Sequence, residues 1–268
     1  MGRRHFVIWP FLIALAVMGY KWLTAEKAVN PLTGRTVRVG LSPSQEETLG
    51  LQSYREVLSK SRILAQGPAH DTVVRVAERL ARATGEAGRD FHWQVSVVES
   101  PQVNAFCLPG GKIVVYTGLL PVAQTEAALA VVMGHEMAHA LAHHGAQRVL
   151  KTTLSQTLMA GAQVSMAEMD PGKRQAVLAA LGAGAQYGVL LPFGRKDETE
   201  ADELGLLVMA RAGYDPHAAI PFWQRMSQHG GHQPPIYLST HPSHAQRIQD
   251  LQAFMPRAMA EYHPAGQN

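Results

Sequence analysis

Two histidines four residues apart with a glutamate between them, His135-Glu136-Met137-Ala138-His139, restrict this chain more than any other stretch of it. A spacing of four puts both imidazoles on one face of a helix, about one turn apart, where they can share a metal ion. Glu136 lies beside them, placed to take a proton from a water on that ion. The local sequence supports a helix. Thr125 is a suitable N-cap, Glu126 follows in the first turn, and Ala127 to Leu141 is rich in Ala, Leu, Val and Met, with Gly145 as a suitable end. Two imidazoles do not fill a zinc site, so a third ligand is required elsewhere.

A second helix supplies it. In Arg195-Lys196-Asp197-Glu198-Thr199-Glu200-Ala201-Asp202-Glu203, Glu198 and Asp202 share a face, and Ala201 is small enough for another helix to approach. A carboxylate at Glu198 completes a His-His-Glu set. Asp202, one turn on, is placed to accept the free N–H of a metal-bound histidine. Asp197, Glu200 and Glu203 read as acidic residues suited to a helix start. Glu200 is also the rival third ligand, two residues from Glu198 and on another side of the helix.

With these motifs, and with Asn30-Pro31-Leu32-Thr33-Gly34-Arg35, Asn104-Ala105-Phe106-Cys107-Leu108-Pro109-Gly110-Gly111 and Ser239-Thr240-His241-Pro242, the chain resembles a family of membrane-associated zinc metalloproteases. That family includes the CAAX prenyl proteases, HtpX and the bacterial periplasmic protease BepA. The resemblance covers nearly everything after the N-terminal apolar segment and is nearest to the bacterial envelope quality-control branch. It implies a zincin-like fold, one zinc held by His135, His139 and Glu198, and Glu136 as catalytic base. It further implies a substrate-binding strand at Asn104, Ala105 and Phe106. His241, followed by Pro242 and an arginine like Arg247, matches a family His-Pro. Near the metal it could stabilise an oxyanion or occupy the water position as a fourth ligand. The sequence departs from the family in having neither several membrane spans nor the helical-repeat domain that follows the protease in BepA.

Composition narrows the partners. With 46% hydrophobic and 17% charged residues the chain can bury a core. A formal charge of +3, without a basic run interleaved with aromatics, argues against nucleic acid. The single cysteine, Cys107, excludes an internal disulfide and reads as a small packed hydrophobe. Arg3 and Arg4 precede an uncharged run from Phe6 to Tyr20. Residues 1–27 are therefore expected to form a signal-anchor that leaves residues 28–268, the protease domain, in the periplasm of a bacterial cell. Cleavage as a signal peptide is the alternative.

The remaining pattern is α+β and predominantly helical. Ser42-Pro43-Ser44-Gln45 opens a helix towards Lys60, and Asp71 is expected to cap another with an apolar stripe from Val73 to Ala81. Trp93 to Glu99 and Lys112 to Thr117 read as strands, with Asn104 to Leu108 forming a hairpin before Pro109-Gly110-Gly111. Helices are expected at 125–145, 150–168, 172–188, 197–211, 216–228 and 243–254, those between Thr152 and Leu191 as core helices. The loop Leu190 to Gly194 is placed to border a cleft. His143, His144, His229 and His232 are expected on the surface or in packing, the first two being too far along the helix from His139 to reach its metal.

The expected function is that of an endopeptidase acting on extended or unfolded polypeptide, such as misfolded or unassembled envelope proteins. Glu136 would activate the zinc-bound water. A membrane-tethered, zinc-stabilised chaperone without proteolysis is the alternative, and the intact Glu136 argues against it. A zinc exopeptidase would need an acidic anchor for a peptide amine, and nothing in the sequence resembles one.

Overall fold

A computed structural model describes residues 7–30, 33–185, 193–229, 236–241 and 246–264. The helices are α1 (Ile8–Thr24), α2 (Pro43–Ser59), α3 (Pro68–Ala83), α4 (Leu120–Ala123), α5 (Glu126–Leu141), α6 (His144–Ser165), α7 (Pro171–Ala185), α8 (Arg195–Arg211), α9 (Ala219–Gln228), α10 (Ile236–Thr240) and α11 (Arg247–Ala260). The strands are β1 (Glu26–Val29), β2 (Thr36–Val39), β3 (Ile63–Leu64), β4 (Gln94–Val98), β5 (Ala105–Leu108) and β6 (Lys112–Tyr116). This is the expected helical α+β architecture with a small sheet. Leu190 to Pro192, His232 and Pro242 to Ala245 lie outside the described residues.

The chain divides into two units. One comprises residues 1–28, 36–42 and 146–191. In it α1 lies along α6, where Gly161 admits Ala14 so closely that a Cβ on the glycine would sit 2.2 Å from the alanine methyl. Val37, Val39 and Ala146 form a small apolar cluster there. Of the core helices expected between Thr152 and Leu191, the part described to Ala185 forms α6 and α7, but the described side chains of α7 are half-buried or exposed. Small residues offer too little apolar area to bury a helix all round.

The structure corrects the expected N-terminal anchor. α1 is 17 residues long, about 26 Å at a helical rise, against a hydrocarbon core of roughly 30 Å. No helix among the described residues is long and apolar enough to cross a membrane. A single inner-membrane span by this helix is therefore not supported.

The other unit holds residues 29–35, 43–145 and 192–268. Its sheet runs β3-β4-β6-β5, with β4 and β6 parallel and β5 antiparallel to β6. The Gly110-Gly111 turn, both at positive φ, makes the β5–β6 hairpin that the sequence predicts. β5 is thus an edge strand, packed beside α5. α3 buries Val73, Val76, Ala77 and Leu80 as expected, but it begins at Pro68 instead of after Asp71. Proline suits the first helical position, and so it starts the helix a turn earlier.

At the centre lies α5, buried from Ala128 to Leu141, as an all-round apolar helix must be. Thr125 caps it, its Oγ1 accepting from the Ala128 N–H at 3.2 Å. Against it packs α8, and the two backbones meet at Gly134 and Gly205. A Cβ on Gly205 would lie 2.8 Å from the His135 nitrogen. Gly205→Ala is expected to cost about 1–3 kcal/mol by overpacking, read as a lower urea midpoint at unchanged slope.

Candidate metal centre

The helix contact aligns three ligand-bearing positions. α5 presents His135, Glu136 and His139, all buried, and α8 presents Glu198 and Asp202 opposite them. His241, immediately after α10, joins from a third side, its N–H bonded to the Tyr237 carbonyl. Ligand atoms of His135, His139, Glu198 and His241 all lie within 4.8 Å of one another.

Their separations suit a tetrahedral ion. The Nε2 atoms of His135 and His139 are 3.1 Å apart, and they stand 3.4 and 3.5 Å from the two Glu198 oxygens. Bonds of zinc length place ligand atoms about 3.3 Å from each other at tetrahedral angles. Glu198 is fully buried, and its Oε2 makes no hydrogen bond among the described residues, a cost that a cation would remove. The donor set and the orphaned oxygen fit one zinc, which these residues would hold. Glu200, the rival ligand, faces Asn30 and His144 instead.

Around this cluster the polar partners are nearly complete. Asp202 Oδ1 lies 2.8 Å from His135 Nδ1, the position expected of an acceptor that fixes the imidazole. Arg247 holds Asp202 by two bonds, Nε to Oδ2 at 2.8 Å and Nη2 to Oδ1 at 2.7 Å. Its guanidinium rests 3.6 Å above the Trp223 ring. Tyr237 donates to Glu136 Oε1 at 2.7 Å and stacks on His241 with ring centres 4.6 Å apart. Phe193 covers His139 at 4.1 Å.

Charge is balanced by these contacts. Burial alone would lower the His135 pKa, but Asp202 and Glu198 outweigh it and hold it at about 9. His139 is pushed far below the usual histidine range by burial and by its histidine neighbours. Burial would raise Glu198, yet the close imidazoles of His135, His139 and His241 pull it well below the carboxylate range. Asp202 is likewise lowered, burial being outweighed by Arg247 and His135. Burial beside Glu136 raises the Tyr237 hydroxyl well above its ordinary value, keeping it a donor.

His144 is not among the clustered ligand atoms, yet it touches one of the histidines that are. His144 is buried and its Nδ1 lies 2.8 Å from His139 Nδ1. The expected helix does not run on to Gly145. It ends at Leu141, and His143 turns to a positive φ of 54° before α6 begins. Glu46 anchors that residue, with its oxygens 3.0 and 3.1 Å from His143 Nδ1. A straight helix would have carried His144 away, whereas the break folds it back. Tyr237 was missed because nothing in sequence separates it from a core tyrosine. Arg247 was visible only as part of the His-Pro resemblance. His229 is exposed, as expected.

Comparison with known proteins agrees with this centre. The model of peptidase family M48 matches residues 69–255. Mitochondrial metalloendopeptidase OMA1 of Schizosaccharomyces pombe is 33% identical over 256 residues, covering 94% of this chain and 73% of its own length. Metalloendopeptidase OMA1, mitochondrial, of Homo sapiens is 31% identical over 94% of this chain, which spans 51% of that protein. The Beta-barrel assembly-enhancing protease of Escherichia coli is 27% identical over 82% of this chain and 46% of its own length. The expected placement in a bacterial inner membrane and periplasm is corrected here as well, because relatives at higher identity and coverage are mitochondrial.

Arg247→Met would leave Asp202 buried without its guanidinium, at an expected cost of about 3–5 kcal/mol. Equilibrium unfolding in urea, with zinc present throughout, measures it.

Proposed function

The chain belongs to peptidase family M48 and is a zinc metalloendopeptidase, and we propose that it cuts extended or unfolded polypeptide laid against β5, with Glu136 as base. The observation that carries this is the convergence of His135, His139 and Glu198 on one point with Glu136 beside it. Zinc, when bound, supplies a Lewis acid that acidifies water and polarises the scissile carbonyl. His135, His139 and Glu198 are the proposed ligands. Asp202 holds the His135 ring through Nδ1, and Arg247 holds Asp202.

Glu136 accepts the proton of the attacking water and returns it to the leaving amine. The Tyr237 hydroxyl occupies Oε1, which directs that proton to Oε2. His241 has its Nδ1 3.1 Å from Glu198 Oε1 and its Nε2 3.6 Å from Glu136 Oε1. It therefore stands where a fourth ligand or an oxyanion partner would stand.

Substrate enters by strand addition. The Asn104 carbonyl accepts from the Tyr116 N–H at 3.1 Å, so antiparallel alternation turns the backbone groups of Asn104 and Phe106 towards β6. Those of Ala105 and Cys107 then face the free edge. A docked peptide would gain its main-chain bonds from these two residues, while the flanking side chains, Phe106 among them, shape the groove. An edge that reads backbone suits unfolded chains of varied sequence, which supports a role in removing misfolded protein.

Glu136→Gln is expected to retain one zinc per chain and to lose casein cleavage by at least about a thousandfold. Wild-type protein that holds zinc yet cuts no internal bond of casein would contradict the proposal. Cys107→Pro removes one outward N–H where an edge strand tolerates proline. It should lower kcat/KM for casein about three- to tenfold with the urea midpoint retained.

A further inference from the structure

The turn Asn30 to Arg35 is not accounted for by the reaction above, yet it is tied to the metal centre. It closes on itself, with Asn30 N bonded to the Arg35 carbonyl at 2.8 Å and Gly34 N to the Asn30 carbonyl at 2.7 Å. Gly34 takes a φ of +69° that other residues rarely adopt. From this turn three side chains converge on Glu200. Asn30 Nδ2 donates to Oε1 at 3.0 Å, Thr33 Oγ1 reaches the same oxygen at 3.5 Å, and Arg35 Nη1 pairs with Oε2. On its inner side Glu200 Oε2 lies 3.3 Å from His144 Nε2, and His144 Nδ1 lies 2.8 Å from His139 Nδ1.

We propose that His144 and Glu200 are positioning residues for His139, and that Asn30, Thr33 and Arg35 are the clamp that holds Glu200. The inference rests on the reading of His139 as a zinc ligand through Nε2. Given that, His139 Nδ1 carries the proton and donates to His144 Nδ1. His144 then has its own proton on Nε2 and donates it to Glu200. Every link has one donor and one acceptor, and the chain ends on an anion held by Arg35 and Asn30. His135 is oriented in the same way by Asp202 and Arg247, so each imidazole has a carboxylate–cation pair behind it. The one on His139 acts through a second imidazole because Glu200 lies on a different side of α8 from Glu198. Orienting partners of this kind govern metal affinity.

The test is zinc affinity by chelator competition on the full chain, comparing wild type, His144→Phe, His144→Asn and Arg35→Met. Thermal unfolding of each zinc-stripped protein reports folding separately. Phenylalanine keeps the ring and loses both nitrogens, whereas asparagine keeps an acceptor near Nδ1. Affinity should fall about ten- to hundredfold with His144→Phe, and His144→Asn should restore it to within about threefold of wild type. Arg35→Met, at a side chain 42% exposed, should weaken zinc by about threefold or more without lowering the zinc-free melting temperature. Wild-type affinity in His144→Phe, or affinity as weak in His144→Asn as in His144→Phe, overturns the positioning role. Should His144→Phe not fold, unchanged affinity in Arg35→Met overturns the clamp. Failure of the wild type to bind zinc would instead overturn the ligand assignment beneath the inference.

Discussion

The contact of α5 with α8 at Gly134 and Gly205 governs the whole centre. Backbone meets backbone there, with no side chain between, and a methyl group on Gly205 would already collide with His135. That approach places two imidazoles and the Glu198 carboxylate at tetrahedral spacing. It also sinks Glu198 and Asp202 into an apolar body, where uncompensated charge is expensive. The remaining polar structure answers that cost: Arg247 on Asp202, Asp202 on His135, and Tyr237 on Glu136. A cation at the cluster would meet the carboxylate oxygen left unsatisfied there, Glu198 Oε2.

The reaction surface follows from the sheet. Because β4 and β6 are parallel neighbours and β5 is added outside them, the edge strand falls beside the helix that carries Glu136. Parallel pairing needs a long connection, and the hairpin at Gly110-Gly111 brings β5 back antiparallel. An unpaired edge next to a reactive centre is a liability for a stable protein. In the proposed reaction it is the seat for an extended chain.

Much of this was legible in residue spacing. His135, Glu136 and His139 on one helix face, and Glu198 with Asp202 on another, are short-range relations that a period of 3.6 residues reports directly. The α3 stripe and the β5–β6 hairpin are of the same kind. What spacing missed was a break in periodicity. His143 is neither Gly nor Pro, so nothing local announces the positive φ that ends α5 and returns His144 to His139. The apolar N-terminal run shows a different shortfall, since hydropathy alone cannot say whether a helix of 17 residues reaches across a membrane or only along a neighbouring helix.

Ligand type and helical period are local properties, so the metal chemistry, its helix and an acid-rich partner helix are legible from residue order. Long-range packing sets which carboxylate faces the histidines, puts Tyr237 and Arg247 behind them, and brings Glu200 to His139 through His144. Those pairings join residues as much as 112 positions apart. No local period encodes such distances; they are set by how closely two helices can approach.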